Sequence, residues 1–282
     1  ITEGGRNMRK KLILIGILAS LIIAGYLLWL DATVWSIHRY PVKSYVVQNE
    51  QLPSTFANVR IVFISDLHAF SEGRTDDFEA VLTKVNALAP DIVIFGGDLV
   101  DESSPTLSED QLNELSIFLN LMVAPLGKFA VLGIQDGARE SVLTSLYTQS
   151  DVELLDQNVV EIYNGSGKSI RLAGIRPDLS QLDLSFLGTT SESFTVLVSA
   201  LPDVADRLGE TDADLIQSGS THGGQVRLPL ITPLFTSGEM NYVSGKHLIG
   251  NSTLIVSKGL GTTRFHARFL ADPDILSIRL IP

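Results

Sequence analysis

A run of 19 residues without a charged side chain, LILIGILASLIIAGYLLWL at positions 12–30, restricts this chain more than any other feature. A helix of this length, rising about 1.5 Å per residue, spans close to the ~30 Å hydrocarbon core of a bilayer. The run therefore predicts a single-pass transmembrane helix near the N-terminus.

The residues that flank this run set its expected orientation. RKK at 9–11 precedes the run and Asp31 follows it, and basic residues are favoured on the cytoplasmic side of a membrane. Tyr26 and Trp29 stand near the far end, where aromatic side chains favour the membrane interface. We therefore expect a cell-membrane protein whose residues 31–282 lie outside the cytoplasm.

A cleaved signal peptide and a buried core helix are the other interpretations of the run. The apolar region of a signal peptide usually has about 7–15 residues and ends at a small-x-small cleavage site, whereas this run is longer and no good site follows it. A core helix would show a polar face, which the run does not have. An uncleaved anchor is the favoured prediction, with a signal peptide as its alternative.

Charge and composition restrict the partners of the chain. The net charge is −11, so the chain lacks the basic footprint of a nucleic-acid-binding protein. An acidic protein also lacks long-range attraction for phosphate-rich ligands, and such a ligand would need local help, most simply from a metal ion. There are no cysteines, which excludes disulfides and thiolate metal sites.

The first half of the remaining chain alternates between strand and helix patterns. The predicted elements are a strand at 60–65, a helix at 76–88, a strand at 91–97, a helix at 108–122 and a strand at 128–133. Ser108 is the expected N-cap of the second helix. This β-α-β-α-β order implies parallel strands in a layered α/β domain.

The second half is richer in strands. Residues 159–175 predict a hairpin about the turn at 164–168. Further buried strands are expected at 194–199 and 213–219, with two more closing the chain, and YVVQ at 45–48 is a candidate first strand.

The chain is expected to divide into four segments. These are a basic N-terminal segment at 1–11 that starts with an upstream or cloning remnant, the anchor at 12–30, a connecting segment at 31–55 and one domain at 56–282. No internal repeat or low-complexity tract interrupts the domain.

Acidic residues and histidines follow three of the predicted strands. Asp66 and His68 stand in SDLH after the first strand, and Asp98 and Asp101 stand in GGDLVD after the second. His222 stands in GSTHGGQ after a later strand. Residues i and i+2 of an extended backbone point to the same side, and ligand sites of open sheets lie at the carboxyl ends of strands. These side chains are therefore expected to meet at one edge, where carboxylate and imidazole suit Mn, Fe or Zn better than Ca.

The order of these motifs resembles that of the calcineurin-like metallophosphoesterases, in particular their bacterial membrane-associated branch. SDLH, GGDLVD, VLGIQDG, VLVSALPD, SGSTHGGQVRLP and SKGLGTTRFHARF follow one another as that family's blocks do, over residues 56–282. The resemblance implies an α/β fold, a four-layer α-β-β-α sandwich of two mixed sheets. It also implies a two-metal centre in which ions about 3.5–4 Å apart hold a phosphoryl group and generate a hydroxide nucleophile.

By this resemblance, every ligand of the first metal is present. The Asp and His of the DxH block, the bridging Asp and the last His of GHTH correspond to Asp66, His68, Asp98 and His222. One divalent transition ion, Mn, Fe or Zn, is therefore the implied cofactor.

By the same resemblance, the ligands that bind only the second metal are lost. Their positions are Ile134, Ala200 and Ser220, none of which carries a good metal ligand. The histidine that the family places near the leaving group is Gln135 here, a degenerate catalytic position. A second metal is not expected.

These losses lead to two functional hypotheses. A positioned general acid typically contributes about 10²–10⁴-fold to a rate, so its loss predicts feeble or absent phosphoesterase activity. The main hypothesis is a membrane-anchored pseudoenzyme or binding module that keeps one metal half-site. The alternative is an active single-metal hydrolase of a lipid, nucleotide-sugar or cell-wall phosphoester, in which Asp101, Glu102, Gln135 and Asp136 compensate.

Two further features have competing interpretations. Gly223, Gly224 and Gln225 are a candidate substrate loop, or a turn inherited with the fold. Arg268 either faces a ligand or is an exposed, solvated side chain, and the second interpretation is favoured.

The basic block before the apolar run yields a test of orientation. We expect protease added to intact cells or protoplasts to digest residues 31–282, because this part would lie outside the cytoplasmic membrane. Immunoblotting against a C-terminal tag measures the loss, and a cytoplasmic protein that stays intact is the control. Protection of the tagged domain until the membrane is opened would contradict the orientation.

Overall fold

The computed structural model describes an N-terminal helix followed by two packed six-stranded sheets. It describes residues 3–73, 76–165, 167–178, 182–188, 193–208, 213–227 and 241–282. The α-helices of this part are α1 (Glu3–Leu30), α2 (Phe78–Ala87), α3 (Glu109–Asn120) and α4 (Glu140–Gln149). Its strands are β1 (Val42–Gln48), β2 (Arg60–Ile64), β3 (Ile92–Phe95), β4 (Lys128–Ala130), β5 (Glu153–Leu154), β6 (Asn158–Tyr163), β7 (Ser169–Ile175), β8 (Thr195–Ser199), β9 (Leu215–Ser218), β10 (Gly245–Ile249), β11 (Ser252–Val256) and β12 (Ile275–Ile281).

The first sheet has the strand order β1-β12-β2-β3-β4-β5. Neighbouring strands from β2 to β5 are parallel and are connected through α2, α3 and α4, so the predicted β-α-β-α-β order is confirmed. β12 pairs antiparallel with β2 and parallel with β1. Parallel pairing brings the carboxyl ends of β2 and β3 to one edge, where Asp66 and Asp98 follow them.

The second sheet has the strand order β10-β11-β9-β8-β7-β6. The hairpin predicted at 159–175 forms as β6 and β7, and the strands β7, β8, β9 and β11 run parallel. The edge strand β10, which pairs antiparallel with β11, is absent from the sequence-based prediction. Its sequence, GKHLI, is short and half polar and is therefore a weak strand signal.

Apolar side chains form three layers between these elements. One face of the first sheet packs beneath α2, α3 and α4, with Phe95 in this layer. The other face packs against the second sheet and includes Phe63 and Val196. The outer face of the second sheet packs against 3-10 helices at Ser185–Leu187 and Pro202–Arg207. The α/β fold with two mixed sheets is thus confirmed, and in the described ranges its outermost layer consists of 3-10 turns.

Local sequence explains where α3 begins and why α4 was not predicted. The Ser108 hydroxyl accepts from the N–H of Gln111, and Gln111 Oε1 accepts from the N–H of Ser108, which is a capping box. The sequence of α4, ESVLTSLYTQ, carries four Ser or Thr residues with low helix propensity. Burial of Leu143, Leu146 and Tyr147 stabilises α4 in spite of that propensity.

The N-terminal helix α1 is exposed along its apolar length. It begins at Glu3, within the segment interpreted as a remnant, and passes into a π-helix at Asp31–Trp35. From Met8 to Trp29, its large apolar side chains are between 49% exposed, for Leu27, and 66% exposed, for Leu14, whereas Leu30 is half-buried. A buried core helix is therefore excluded. Among the described residues, one helix is long and apolar enough to cross a membrane.

Candidate metal centre

Two carboxylates and two imidazoles meet where the strands end. Asp66 and His68 follow β2, Asp98 follows β3 and His222 follows β9, and none is more than 5% exposed. One ligand atom each of Asp66, His68 and His222 lies within 4.8 Å of the other two, and the two histidine Nε2 atoms are 3.1 Å apart. Asp98 lies close enough for the charges of Asp66 and His68 to shift its pKa. Asp66, His68 and His222 therefore meet at one buried point, which is called the shared point below, and Asp98 lies in the adjacent turn.

The backbone of these four residues is in the left-handed region and not extended, and this conformation sets the direction of their side chains. The φ angles of Asp66, His68, Asp98 and His222 are 51°, 45°, 51° and 50°. Such values are uncommon for residues other than glycine and concentrate at functional sites. The expectation that the pleat of a strand turns Asp66 and His68 to one side is therefore wrong. Instead, the Asp66 N–H donates to Gly97 O (2.9 Å) and the His68 N–H donates to Asp98 O (3.1 Å), which holds the turn after β2 against the turn after β3.

Two glycines allow the loops to approach the carboxylates closely. A Cβ atom at Gly219 would overlap the Asp66 carboxylate and the Ser65 side chain. A Cβ atom at Gly133 would overlap the carboxylate and backbone nitrogen of Asp98. Any larger residue at either position would displace a carboxylate from the shared point.

Burial raises the pKa of both carboxyl groups. For Asp66 burial is the main cause, and the nearby His68 charge offsets part of it. For Asp98 burial comes first, the charges of Asp66 and Asp136 add to it, and the pKa rises to about 7. A divalent cation at the shared point would favour the ionised form of both carboxylates and compete with their protonation. The donor set of carboxylate oxygen and imidazole nitrogen fits such an ion.

The outer nitrogen of His68 faces two acceptors. Gln135 Oε1 lies 3.0 Å and Asp101 Oδ2 lies 3.5 Å from His68 Nδ1. A neutral imidazole that donates from Nδ1 keeps the lone pair on Nε2, which faces the shared point. Burial alone would lower the pKa of His68, but the hydrogen bond to Asp101 and the Asp98 charge outweigh burial and raise it.

Asp101 is fixed as an anion beside His68. The N–H and the hydroxyl of Ser103 donate to Asp101 Oδ1 at 2.9 and 2.5 Å. Burial tends to raise the pKa of Asp101, but the hydrogen bonds from His68 and Ser103 outweigh it and lower the pKa well below its usual range. Asp101 therefore acts on the shared point through His68.

Gln135 supports two of the candidate ligands at once. Besides facing His68, its Oε1 accepts from the N–H of Glu102 (3.1 Å), and its own N–H donates to Asp98 Oδ1 (2.7 Å). The sequence analysis treats Gln135 only as a lost histidine, because nothing in the sequence signals a contact with a residue 67 positions earlier.

Asp136 fixes the turn that carries Asp98. Its carboxylate is fully buried and accepts from the N–H groups of Asp98 (2.8 Å), Leu99 (3.1 Å) and Gly133 (2.8 Å). Burial raises the pKa of Asp136, and these backbone donors offset part of the effect. The carboxylate is thus occupied in holding backbone.

Arg268 is fully buried, so the expectation of an exposed, solvated side chain is wrong. Its guanidinium donates to the carbonyl oxygens of His222 (2.9 Å), Lys258 (2.8 Å) and Ala271 (3.1 Å) and lies 3.2 Å from His222 Nδ1. Arginine cannot accept a hydrogen bond, so His222 Nδ1 accepts in this contact and the proton of the neutral ring lies on Nε2. His222 Nε2 lies 3.1 Å from His68 Nε2, at the shared point.

The three positions expected to have lost metal ligands lie in the neighbouring loops. Ile134 is 52% exposed and directly precedes Gln135, while the buried Ala200 follows β8. Ser220 is buried, and its N–H donates to both carboxylate oxygens of Asp66 at 3.0 and 2.9 Å. Alkyl groups and a neutral hydroxyl are poor ligands, and a single metal site remains a prediction.

The proposed substrate loop is buried. Gly223 and Gly224 lie in a short 3-10 turn that begins at His222. The Gln225 amide donates to Thr263 O (2.9 Å) and Phe265 O (2.8 Å) and accepts from the N–H of Thr263 (3.0 Å). Gln225 thus joins this turn to the loop around residue 264, and contact of the three residues with substrate remains a prediction.

The contact between Gln135 and His68 yields a test of metal positioning. We expect Gln135→Ala to weaken binding of Mn²⁺ or Zn²⁺ by about 10–100-fold, because His68 loses the Gln135 acceptor at Nδ1, whereas the backbone N–H that reaches Asp98 stays in place. Competition with a fluorescent chelator measures the affinity. Gln149→Ala, at the exposed end of α4, is the matched control and should leave it unchanged. Equal metal affinities for both variants would show that the Gln135 side chain does not contribute to metal binding.

Comparison with known proteins agrees with this geometry. Residues 59–173 match the calcineurin-like phosphoesterase family. The chain is 29% identical to the uncharacterized metallophosphoesterase YkuE of Bacillus subtilis (strain 168), over 84% of each chain. It is 31% identical to the uncharacterized protein YpbG of the same organism, over 76% of this chain and 78% of YpbG. It is also 29% identical to the UDP-2,3-diacylglucosamine pyrophosphatase LpxG of Chlamydia trachomatis serovar D, over 95% of this chain and 98% of LpxG. The chain therefore belongs to the calcineurin-like metallophosphoesterase family.

Proposed function

We propose that this protein is a membrane-anchored hydrolase that uses a single divalent transition ion to cleave a pyrophosphate or phosphoester bond. The observation that carries the proposal is the buried cluster of Asp66, His68 and His222, with Asp98 buried in the adjacent turn. α1, exposed and of membrane-spanning length, is the proposed anchor, with the remaining domain outside the cytoplasm.

The relatives favour an active enzyme. LpxG, which aligns over nearly the whole chain, is named a pyrophosphatase, and YkuE is named a metallophosphoesterase. The pseudoenzyme hypothesis is therefore not supported, and its alternative, an active hydrolase, fits better. By analogy with LpxG, we propose a substrate that joins a nucleotide to an acylated sugar through a pyrophosphate.

Four residues are proposed metal ligands, and Gln135 is proposed to position them. Asp66, His68, Asp98 and His222 would hold the ion, which supplies Lewis-acid activation of a phosphoryl oxygen and lowers the pKa of bound water. Gln135 keeps His68 Nε2 and the Asp98 carboxylate directed inward. All four proposed ligands are buried, so bulk water is excluded from around them. Electrostatic interactions are stronger in such an environment.

The absence of a histidine at position 135 favours pyrophosphate over simple alkyl phosphoesters. Hydrolysis joins a water oxygen to phosphorus and breaks the P–O bond to the leaving group. An alkoxide leaves poorly unless an acid protonates it, and Gln135 has no proton to give at neutral pH. A phosphate monoester leaves as a stable anion, since its second pKa is about 6. A pyrophosphate substrate therefore tolerates the loss that an alkyl phosphodiester would not.

Turnover tests this proposal directly. The full chain, purified in detergent and supplied with Mn²⁺, should hydrolyse UDP-2,3-diacylglucosamine faster than an alkyl phosphodiester. Asp66→Asn and Asp98→Asn should each lower the rate by at least about 10²-fold, because each removes a charged group that holds the ion. Phosphate-containing products are followed by mass spectrometry.

The matched control for these variants is Asp110→Asn, at the exposed start of α3. It should keep the parent rate. Turnover that survives Asp66→Asn and Asp98→Asn would place the activity elsewhere or in a contaminant. If the parent protein hydrolyses none of the phosphate compounds, the pseudoenzyme hypothesis is favoured over the proposed activity.

Restoring the lost ligands tests the single-metal part of the proposal. The parent should hold at most one ion per chain, whereas Ile134→Asn, Ala200→His and Ser220→His together should bind a second, because a divalent ion needs several donors at once. Elemental analysis counts the ions, and a melting curve checks that the buried polar groups have not unfolded the variant. Two tightly bound ions in the parent would contradict the prediction.

A further inference from the structure

The end of the apolar helix is bonded to the loop that supports His222. The Arg268 N–H donates to Ala32 O at 2.8 Å, and the Ser36 hydroxyl donates to Asp272 Oδ1 at 2.6 Å. Arg39 also donates to Asp272 Oδ1 at 3.2 Å. These contacts join the end of the helix, at residues 32–39, to the segment at residues 268–272.

The paired segments expose apolar side chains next to the membrane helix. Val34 is 46% exposed, Trp35 is 52% exposed and Leu270 is 60% exposed. We call these three residues the junction patch. The half-buried residues 30–33 separate the patch from the exposed apolar surface of α1 by about one helical turn, so the patch lies at the end of the proposed anchor, where the headgroup layer would begin.

The junction patch and the metal centre occupy the same edge of the domain. β1 starts at Val42, just beyond the helix, and this residue pairs with Ile275 at the start of β12. Because β12 runs antiparallel to β2, its start lies beside the carboxyl end of β2, where Asp66 follows. Arg268 connects the two features directly, with its N–H on Ala32 O and its guanidinium 3.2 Å from His222 Nδ1.

Three basic side chains collect at this edge of an otherwise acidic chain. Lys43 follows the first residue of β1, Lys258 packs against Gly223, and the Arg227 N–H donates to Phe269 O beside the junction patch. Burial lowers the pKa of Lys258. The nearby charges of Asp274 and Asp272 oppose this effect, and those of Lys43 and Arg227 add to it. Basic groups beside exposed apolar ones are typical of surfaces that lie on anionic headgroups.

We infer that the edge carrying the metal centre rests on the headgroup layer of the bilayer that holds α1. The junction patch dips into the boundary between headgroups and acyl chains, and the basic side chains face the lipid phosphates. The substrate is then a lipid whose phosphate group reaches the shared point while its acyl chains stay in the membrane. This inference rests on the proposed function for the identity of the reaction, and on α1 for the membrane.

Nitroxide labelling measures the position of the patch in the full chain. The chain has no cysteine, so Leu270→Cys gives a single labelling site in protein reconstituted into phosphatidylcholine and phosphatidylglycerol vesicles. Leu248→Cys is the matched control, because Leu248 is 77% exposed and lies towards the opposite end of the second sheet. We expect the label at 270 to be relaxed by oxygen and shielded from a water-soluble nickel chelate, and the label at 248 to show the reverse. Equal access of the nickel chelate to both labels overturns the inference.

Activity separates this inference from the proposed function. With UDP-2,3-diacylglucosamine in the vesicles, Leu270→Asp should lower turnover at least about tenfold, because a charge replaces a Leu that enters the lipid. Turnover of a soluble aryl phosphodiester by Leu270→Asp should equal that of the parent, and Leu248→Asp should match the parent on both. An unchanged vesicle rate for Leu270→Asp overturns the inference. If the label at position 270 is immersed in the bilayer but neither compound is hydrolysed, the inferred membrane contact of the junction patch is supported. The proposed function is then overturned.

Discussion

The architecture of the site depends on holding two carboxylates and two imidazoles next to one another away from water. Burial of a charged group is costly unless hydrogen bonds or an opposite charge compensate it. Here, backbone N–H groups of Ser220 and Gln135 reach the two carboxylates, and glycines leave room for the approach. Sharp left-handed turns after β2, β3 and β9 follow from this requirement, since an extended chain would carry each ligand past the shared point. The two sheets supply the rigid frame against which these strained turns are held.

Much of the two-sheet fold is predictable from sequence because short local patterns of residues indicate its strands and helices. Buried apolar runs indicated β2 and β3, Ser108 indicated the start of α3, and the order of the motifs indicated Asp66, His68 and His222, which form the cluster. The missed features are those that local pattern does not encode. α4 forms through packing in spite of poor propensity, and the contact of Gln135 with His68 joins distant loops. Arg268 was misjudged because a charged residue in a polar stretch is usually solvated, whereas here carbonyl oxygens and His222 surround it.

The altered residues and the surviving ones form one coherent arrangement. Where the resemblance implies a histidine for the leaving group, Gln135 supports His68 and Asp98 from behind. Where it implies a ligand for a second ion, the N–H of Ser220 holds Asp66. In the proposed single-metal centre, the backbone and amide groups at these positions stabilise the first half-site rather than build a second. A centre of this kind suits a substrate whose leaving group needs no acid, which is the property of a pyrophosphate.

A net charge of −11 presents a difficulty for an enzyme of anionic substrates, because long-range repulsion lowers their concentration at its surface. A membrane anchor removes this difficulty if the substrate is a lipid, since acyl chains then hold the phosphate group in the same thin layer as the enzyme. The loop that carries Arg268 gives this arrangement a physical basis, because it is bonded to the helix end through Ala32 and to the metal centre through His222. The local positive charge of Lys43, Arg227 and Lys258 then needs to act only over the last few ångströms, within a Debye length of about 8 Å. A site that receives its substrate from the bilayer, as we propose, would therefore account together for the acidic composition, the uncharged run and the buried arginine.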